Sequence, residues 1–219
     1  VNRVVRRVIA LIETNTRFGR LYDIDTRLRP SGRSGLMVIG FDALEKYLGE
    51  SAWNWELQAF VRARPVAGDR QLSAMLKALR SDILQQSREP QVLLKDVVEM
   101  REKMHSHLGS GPSDVGFDLK HDRGGIVDIE FMVQYQVLAH AESHPELAMY
   151  TDNIRQLDGL SESGCISTAD ADALKKAYIH YRALNHDAIL SDRVGRVKTS
   201  AIENDRMLVQ ALWTQWMSL

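Results

Sequence analysis

Between Leu21 and Gly35 the sequence LYDIDTRLRPSGRSG sets Asp23, Asp25, Arg27 and Arg29 at alternate positions ahead of a Ser/Gly turn. In an extended strand successive side chains alternate faces, so these four share one face and Tyr22, Ile24, Thr26 and Leu28 share the other. Carboxylate oxygens are hard ligands suited to Mg²⁺, and a guanidinium fork neutralises phosphate oxygens two at a time. A face carrying both fits polyphosphate and metal chemistry better than either sign alone. The competing account is an exposed, self-neutralising edge strand, which needs no ligand.

A second polar cluster, FDLKHDRGGIVDIEF, runs from Phe117 to Phe131, with Lys120, Asp122 and Arg123 ahead of Gly124-Gly125 and with Asp128 and Glu130 behind. Paired glycines permit positive φ and place free N–H groups before a helix N-terminus, where an anion is favoured. The alternative is a plain turn, with Asp128 and Glu130 as first-turn acids complementing the helix dipole. Positions two apart on a helix diverge by about 200°, so at most one of these acids is a direct site residue. In a third cluster, WNWELQAFVRAR, Glu56 lies among aromatic residues and Trp53, Leu57 and Phe60 form a core stripe. Arg62 and Arg64 suit the end of that helix, and leaning on the strand acids is a further role open to them. No histidine pair has metal spacing, and no nucleophile elbow occurs.

The elements that must position these clusters are mostly helical. Val5, Val8, Ile9 and Ile12 form the stripe of an opening helix, and Leu36 to Ile39 reads as a strand returning on the charged one, giving a β-hairpin. Further stripes at Leu72 to Ile83, Leu93 to Met104, Ile129 to Val137, Leu174 to Ala188 and Leu208 to Trp216 predict a succession of helices. Ser167 with Asp170 predicts an N-cap for the longest. The fold class is therefore mainly α, a helical bundle preceded by a small α/β remnant of helix plus β-hairpin, with the boundary near Gly68.

With 219 residues and 44% hydrophobic content the chain is globular rather than disordered. Its 28 basic and 29 acidic residues leave a formal net charge of -1, which argues against nucleic acid as a partner. The single cysteine, Cys165, forms no internal disulfide, so a reducing cytoplasm is the expected location. No apolar run approaches the roughly 18 residues of a membrane span, and no membrane association is expected. Beginning at Val1 with an amphipathic helix almost at once, the chain reads as a piece of a longer polypeptide.

Four motifs in one order, DIDTRLRPSG at Asp23, AWNWELQAFVRAR at Ala52, EMREKMHSHLG at Glu99 and DRGGIVDIEFMVQY at Asp122, resemble the glutamine synthetase adenylyltransferase family. The resemblance covers essentially the whole chain. It implies a bifunctional bacterial enzyme with two nucleotidyltransferase halves, each a polymerase-β-like catalytic domain followed by a helical bundle. One half attaches AMP from ATP to a tyrosine of glutamine synthetase, and the other removes it with phosphate. GGIVDIEF, with Val127-Asp128, and EMREKM are similar to the attaching, C-terminal half; the removing half reads more like GGIREIEF.

On that resemblance residues 1–68 are the C-terminal part of the nucleotidyltransferase domain and 69–219 the bundle. The family's Gly-Ser pair and its own Asp-x-Asp are expected upstream of Val1, where with a third acid they bind Mg²⁺. Asp25 matches the third acid, as catalytic and metal residue. Arg27 and Arg29 are then the nearest phosphate cations, Lys120 is a further nucleotide-binding candidate, and Asp23, Asp128 and Glu130 are supporting. The family also implies the PII signalling protein and glutamine as regulators. Two alternatives stay open: a helical interaction module docking glutamine synthetase or PII, and the AMP-removing half of the same enzyme.

Overall fold

The computed structural model describes residues 1–219 except 21, 23, 112–115, 192–194 and 219. Nine α-helices are described: α1 (Asn2–Ile12), α2 (Phe41–Glu50), α3 (Asn54–Val61), α4 (Arg70–Leu84), α5 (Pro90–Leu108), α6 (Ile126–His140), α7 (Asn153–Glu162), α8 (Thr168–Leu190) and α9 (Glu203–Trp216). The mainly α class expected from periodicity is the observed one. Pro90 stands at the first turn of α5, where its missing N–H costs nothing. Ser167 caps α8 by accepting the Asp170 N–H at 3.0 Å.

The β structure lies elsewhere than the sequence suggested. Among the described residues the paired strands are β1 (Phe117–Asp118) and β2 (Arg196–Val197), antiparallel, with Phe117 opposite Val197. No β-hairpin forms over the described residues of 21–39. Local hydrogen bonds occupy the donors a ladder would need. The Arg27 N–H turns onto Asp25 Oδ1 at 2.9 Å, the Arg29 N–H onto Arg27 O at 3.1 Å, and the Gly32 N–H onto Arg29 O at 2.8 Å. A short 3₁₀ turn, Gly32–Ser34, follows.

The chain divides into two compact units, 1–56 and 57–219. Within the first, α1 buries none of its residues, and Val4, Val8 and Leu11 are exposed. Within the second, α6 is the central helix and packs against α5, α7, α8 and α9. It is largely enclosed: Ile126, Val127, Ile129, Phe131, Met132, Val133, Val137 and Leu138 are all buried, together with the polar Asp128, Gln134 and Gln136. Arg80 on α4 is buried, and among the described residues no carboxylate pairs with it. It donates instead to the carbonyls of Phe60 and Val61 at the end of α3 and of Ala148 and Tyr150. The Phe60 and Val61 carbonyls carry the negative end of the α3 dipole, which suits a cation.

Candidate functional site

In the first unit Asp25 and Arg27 are exposed and Arg29 is half-buried, ahead of a tight turn. The Asp25 carboxylate receives Arg27 Nη2 at 2.6 Å and Arg27 Nε at 2.9 Å. That pair is a forked contact open to water, with 52% and 68% of the two side chains exposed. Hydrogen bonding to Asp25 and its charge hold the Arg27 pKa above its ordinary value. The Arg29 guanidinium folds back onto Thr26 O and, at 3.4 Å, onto Gly35 O. Asp25, Arg27 and Arg29 are thus brought together within a few residues; Asp23 lies outside the described residues.

The turn after Arg29 is unusual in its backbone. Ser31 has φ 62° and ψ 18°, the one non-glycine among the described residues with positive φ. A left-handed residue of this kind costs about 1–2 kcal/mol, so neighbours must hold it. The Ser31 N–H donates to Tyr47 Oη at 3.3 Å, and Tyr47 Oη donates to Glu56 Oε1 at 2.7 Å. Glu56 Oε2 also takes the Trp53 N–H at 3.0 Å, capping the start of α3. Burial first, and the Glu56 carboxylate next, push the Tyr47 pKa up and keep its hydroxyl protonated. Gly35 closes the turn, because a Cβ there would lie 1.9 Å from Pro30 O.

In the second unit the Gly124-Gly125 turn packs inward. Each N–H that was expected to await an anion has an internal partner: Gly124 N–H with Asp128 Oδ2 at 2.5 Å, Gly125 N–H with Asp122 O at 3.0 Å, Ile126 N–H with Leu119 O at 2.9 Å, and Val127 N–H with Lys120 O at 3.1 Å. The glycines are steric necessities. A Cβ on Gly125 would meet Leu119 O at 2.8 Å, and one on Gly124, where φ is +87°, would meet Arg206 Cγ at 2.9 Å. The Lys120 side chain is exposed beside this turn.

Asp128 and Glu130 point to different cations, as their spacing on α6 requires. Asp128 accepts Arg101 Nε in the interior, and Arg101 Nη2 also donates to His121 O at 2.9 Å. Glu130 accepts Arg62 Nη1 at 2.5 Å and Tyr178 Oη at 3.3 Å. Arg62 therefore meets an acid on α6, and Gln58, one turn earlier on α3, meets Gln134, one turn later on α6, at 3.4 Å. Between α5, the Gly-Gly turn and α9 lies a cleft of about 250 Å³ lined by Arg101, His105, Arg123, Gln210 and Trp213, among others. Its arginines are matched by acids, Arg101 by Asp128 and Arg123 by Glu102, so the cleft carries no net trap for anions.

Asp122 organises the loop ahead of the turn. It accepts the Ser110 N–H at 2.7 Å, Ser110 Oγ at 2.8 Å and the Asp118 N–H at 2.8 Å. Burial pushes its pKa up, but these hydrogen bonds together outweigh burial and the net shift is downward.

Sequence reasoning missed Arg101, Tyr47 and Ser31. For Arg101 a signal was present: it follows Leu93 and Val97 at four-residue intervals, so it occupies the buried stripe of α5 itself. For Tyr47 and Ser31 there was none, because a positive φ at serine is invisible in composition.

The arrangement has relatives. Residues 1–79 match the family model described as glutamate-ammonia ligase adenylyltransferase, and residues 93–190 match the one described as GlnD PII-uridylyltransferase. Over 215 residues, 96% of the chain, it is 46% identical to a bifunctional glutamine synthetase adenylyltransferase/adenylyl-removing enzyme of Hahella chejuensis, of which it covers 22%. Enzymes of the same description from Acinetobacter baylyi and Nitrosococcus oceani are 45% and 46% identical, over 96% and 97% of this chain and 23% and 22% of their own. The chain thus spans less than a quarter of the relatives it matches.

Proposed function

Because this chain belongs to the family of bifunctional glutamine synthetase adenylyltransferase/adenylyl-removing enzymes, we propose that it is a segment of the adenylylating half of such an enzyme. In this reading the whole enzyme transfers AMP from ATP to a tyrosine of glutamine synthetase and so regulates nitrogen assimilation. The tyrosine oxygen forms a bond to the α-phosphorus, the bond from that phosphorus to pyrophosphate breaks, and pyrophosphate leaves in line.

The observation that carries the reading is the run of exposed Asp25 and Arg27 with half-buried Arg29, inside the stretch matched by the adenylyltransferase family model. Arg27 and Arg29 neutralise triphosphate oxygens, and Lys120 is a further nucleotide-binding residue. Asp128 and Glu130 keep a supporting assignment, Asp128 by fixing Arg101 and Glu130 by fixing Arg62. Asp23 keeps its supporting assignment on the motif alone.

Mg²⁺ needs several oxygen ligands. Among the described residues no group of three or more His, Cys, Asp or Glu comes together, and Asp25 is engaged by Arg27. These residues do not by themselves fit the ion. In the proposed enzyme Asp25 is one metal ligand and the remaining carboxylates come from the longer protein.

The assignment to the attaching half rests on GGIVDIEF and EMREKM. A cytoplasmic location, and PII and glutamine as regulators, come with the family resemblance. No helix among the described residues is long and apolar enough to cross a membrane. The decisive experiment is Asp25→Asn in the full-length enzyme. Loss of ATP-dependent labelling with phosphorolysis retained supports the attaching half, and loss of phosphorolysis alone assigns the segment to the removing half.

One observation favours a second role for the bundle. Residues 93–190 match a model described for PII-uridylyltransferase, which supports 69–219 as a module that docks PII or glutamine synthetase. Titrating the 219-residue chain with each protein without nucleotide tests it, and an absence of binding at micromolar concentration removes it.

A further inference from the structure

From the hydrogen-bond chain through Ser31, Tyr47 and Glu56 we infer that Tyr47 and Glu56 are positioning residues for the nucleotide's phosphates, acting through the turn that presents Arg27 and Arg29. This inference rests on the proposed function of those arginines. Neither Tyr47 nor Glu56 contacts the phosphates; they act on the backbone that carries the cations.

Three observations within the first unit converge. The turn holds a left-handed Ser31, a conformation that serine leaves readily unless its N–H is engaged. That N–H is engaged by Tyr47 Oη, sixteen residues away on α2. Tyr47 Oη is in turn fixed by both oxygens of Glu56, at 2.7 and 3.0 Å, and Glu56 is anchored by the Trp53 N–H at the start of α3. The hydroxyl is the one group in this chain of contacts that both accepts and donates, so replacing it breaks the link at its centre. On the far side of the turn, Arg29 supplies the carbonyl that receives the Gly32 N–H at 2.8 Å, and its guanidinium reaches Gly35 O. Releasing Ser31 therefore frees the residues that direct the Arg29 guanidinium, and the cation loses its preset direction. Preorganised cations bind phosphate better than mobile ones because less ordering remains to be done on binding.

The test uses the full-length enzyme and two readouts: steady-state kinetics, and equilibrium titration with a non-hydrolysable ATP analogue. Tyr47→Phe and Glu56→Ala are each expected to weaken analogue binding and raise the KM for ATP by about tenfold, with kcat changed by less than about threefold and the KM for glutamine synthetase unchanged. Glu56→Gln keeps an oxygen acceptor for the tyrosine and is expected to restore most of the affinity. The double variant Tyr47→Phe/Glu56→Ala is expected to be no worse than the worse single one.

Arg27→Gln and Arg29→Gln separate nucleotide binding by the arginines from their positioning by Tyr47 and Glu56. If neither weakens analogue binding, the nucleotide reading of the run falls. If they weaken it while Tyr47→Phe and Glu56→Ala do not, the positioning role falls and the nucleotide reading stands. A Glu56→Gln variant as weak as Glu56→Ala, or strictly additive single effects, also overturns the positioning role.

Discussion

The Arg101 guanidinium is buried against the Asp128 carboxylate, with 3% and 5% of the two side chains exposed. The pair ties α5 to the first turn of α6, and Asp128 at the same time takes the Gly124 N–H. One carboxylate thus fixes both the helix entry and its neighbour.

Removing one partner of this pair leaves an uncompensated charge in the interior. Asp128→Ala and Arg101→Met are each expected to destabilise the chain by about 3–5 kcal/mol. The double variant is expected to cost clearly less than the sum. Denaturant unfolding followed by circular dichroism measures all three, and additive effects would show that the two groups do not act as a pair.

At Gly125 an added methyl has nowhere to go, since two backbone carbonyls face it below 3 Å. Gly125→Ala is expected to cost about 1–3 kcal/mol. By contrast Gly49, where a Cβ meets nothing within 4 Å, should accept alanine without loss and gain slightly from better helix propensity. A melting-temperature comparison of the two variants decides the matter.

Acid should loosen the loop around Asp122. Its folded pKa is depressed, so its contribution to stability is present above the unfolded value and is lost as pH falls through the folded one. Stability is therefore expected to decline below about pH 4, and Asp122→Asn should flatten that decline while lowering stability at neutral pH. Chemical denaturation at several pH values, with the variant alongside, reads out both effects.

The 219-residue chain by itself is expected to transfer no AMP to glutamine synthetase, because among its described residues no group of three or more His, Cys, Asp or Glu comes together to hold a metal. In the full-length enzyme, Asp25→Asn is expected to lower the transfer rate by about a hundredfold or more. Since Asp25 and Arg27 are largely exposed, the unfolding midpoint should hardly move. Radiolabel incorporation with purified components, and a melt of each variant, are the measurements.

The helices were legible from their periodicity, but burial followed it only in part, since Val8, Trp53 and Leu72 lie exposed. Leu93 and Val97, Ile129 and Met132, and Leu174 and Tyr181 sit in the structure where their stripes place them. The missing hairpin was not legible, since alternation of charge says nothing about whether side chains such as Asp25 will take the backbone N–H of Arg27 for themselves. The Gly124-Gly125 turn shows the same limit. Two glycines invite a bound anion and equally permit close packing, and only the positions of Leu119 O and Arg206 distinguish the two. Arg62 and Glu130, 68 residues apart, became partners only through the approach of α3 to α6.

The all-round enclosure of α6 also bears on how this segment can vary over time. A helix with neighbours on every side has no free face on which substitutions accumulate unnoticed, so a change of volume at Val133 or Leu138 must be answered by the residue it touches. Drift there should proceed as matched exchanges between helices, whereas the outward positions of α4 and α8 remain open to independent replacement.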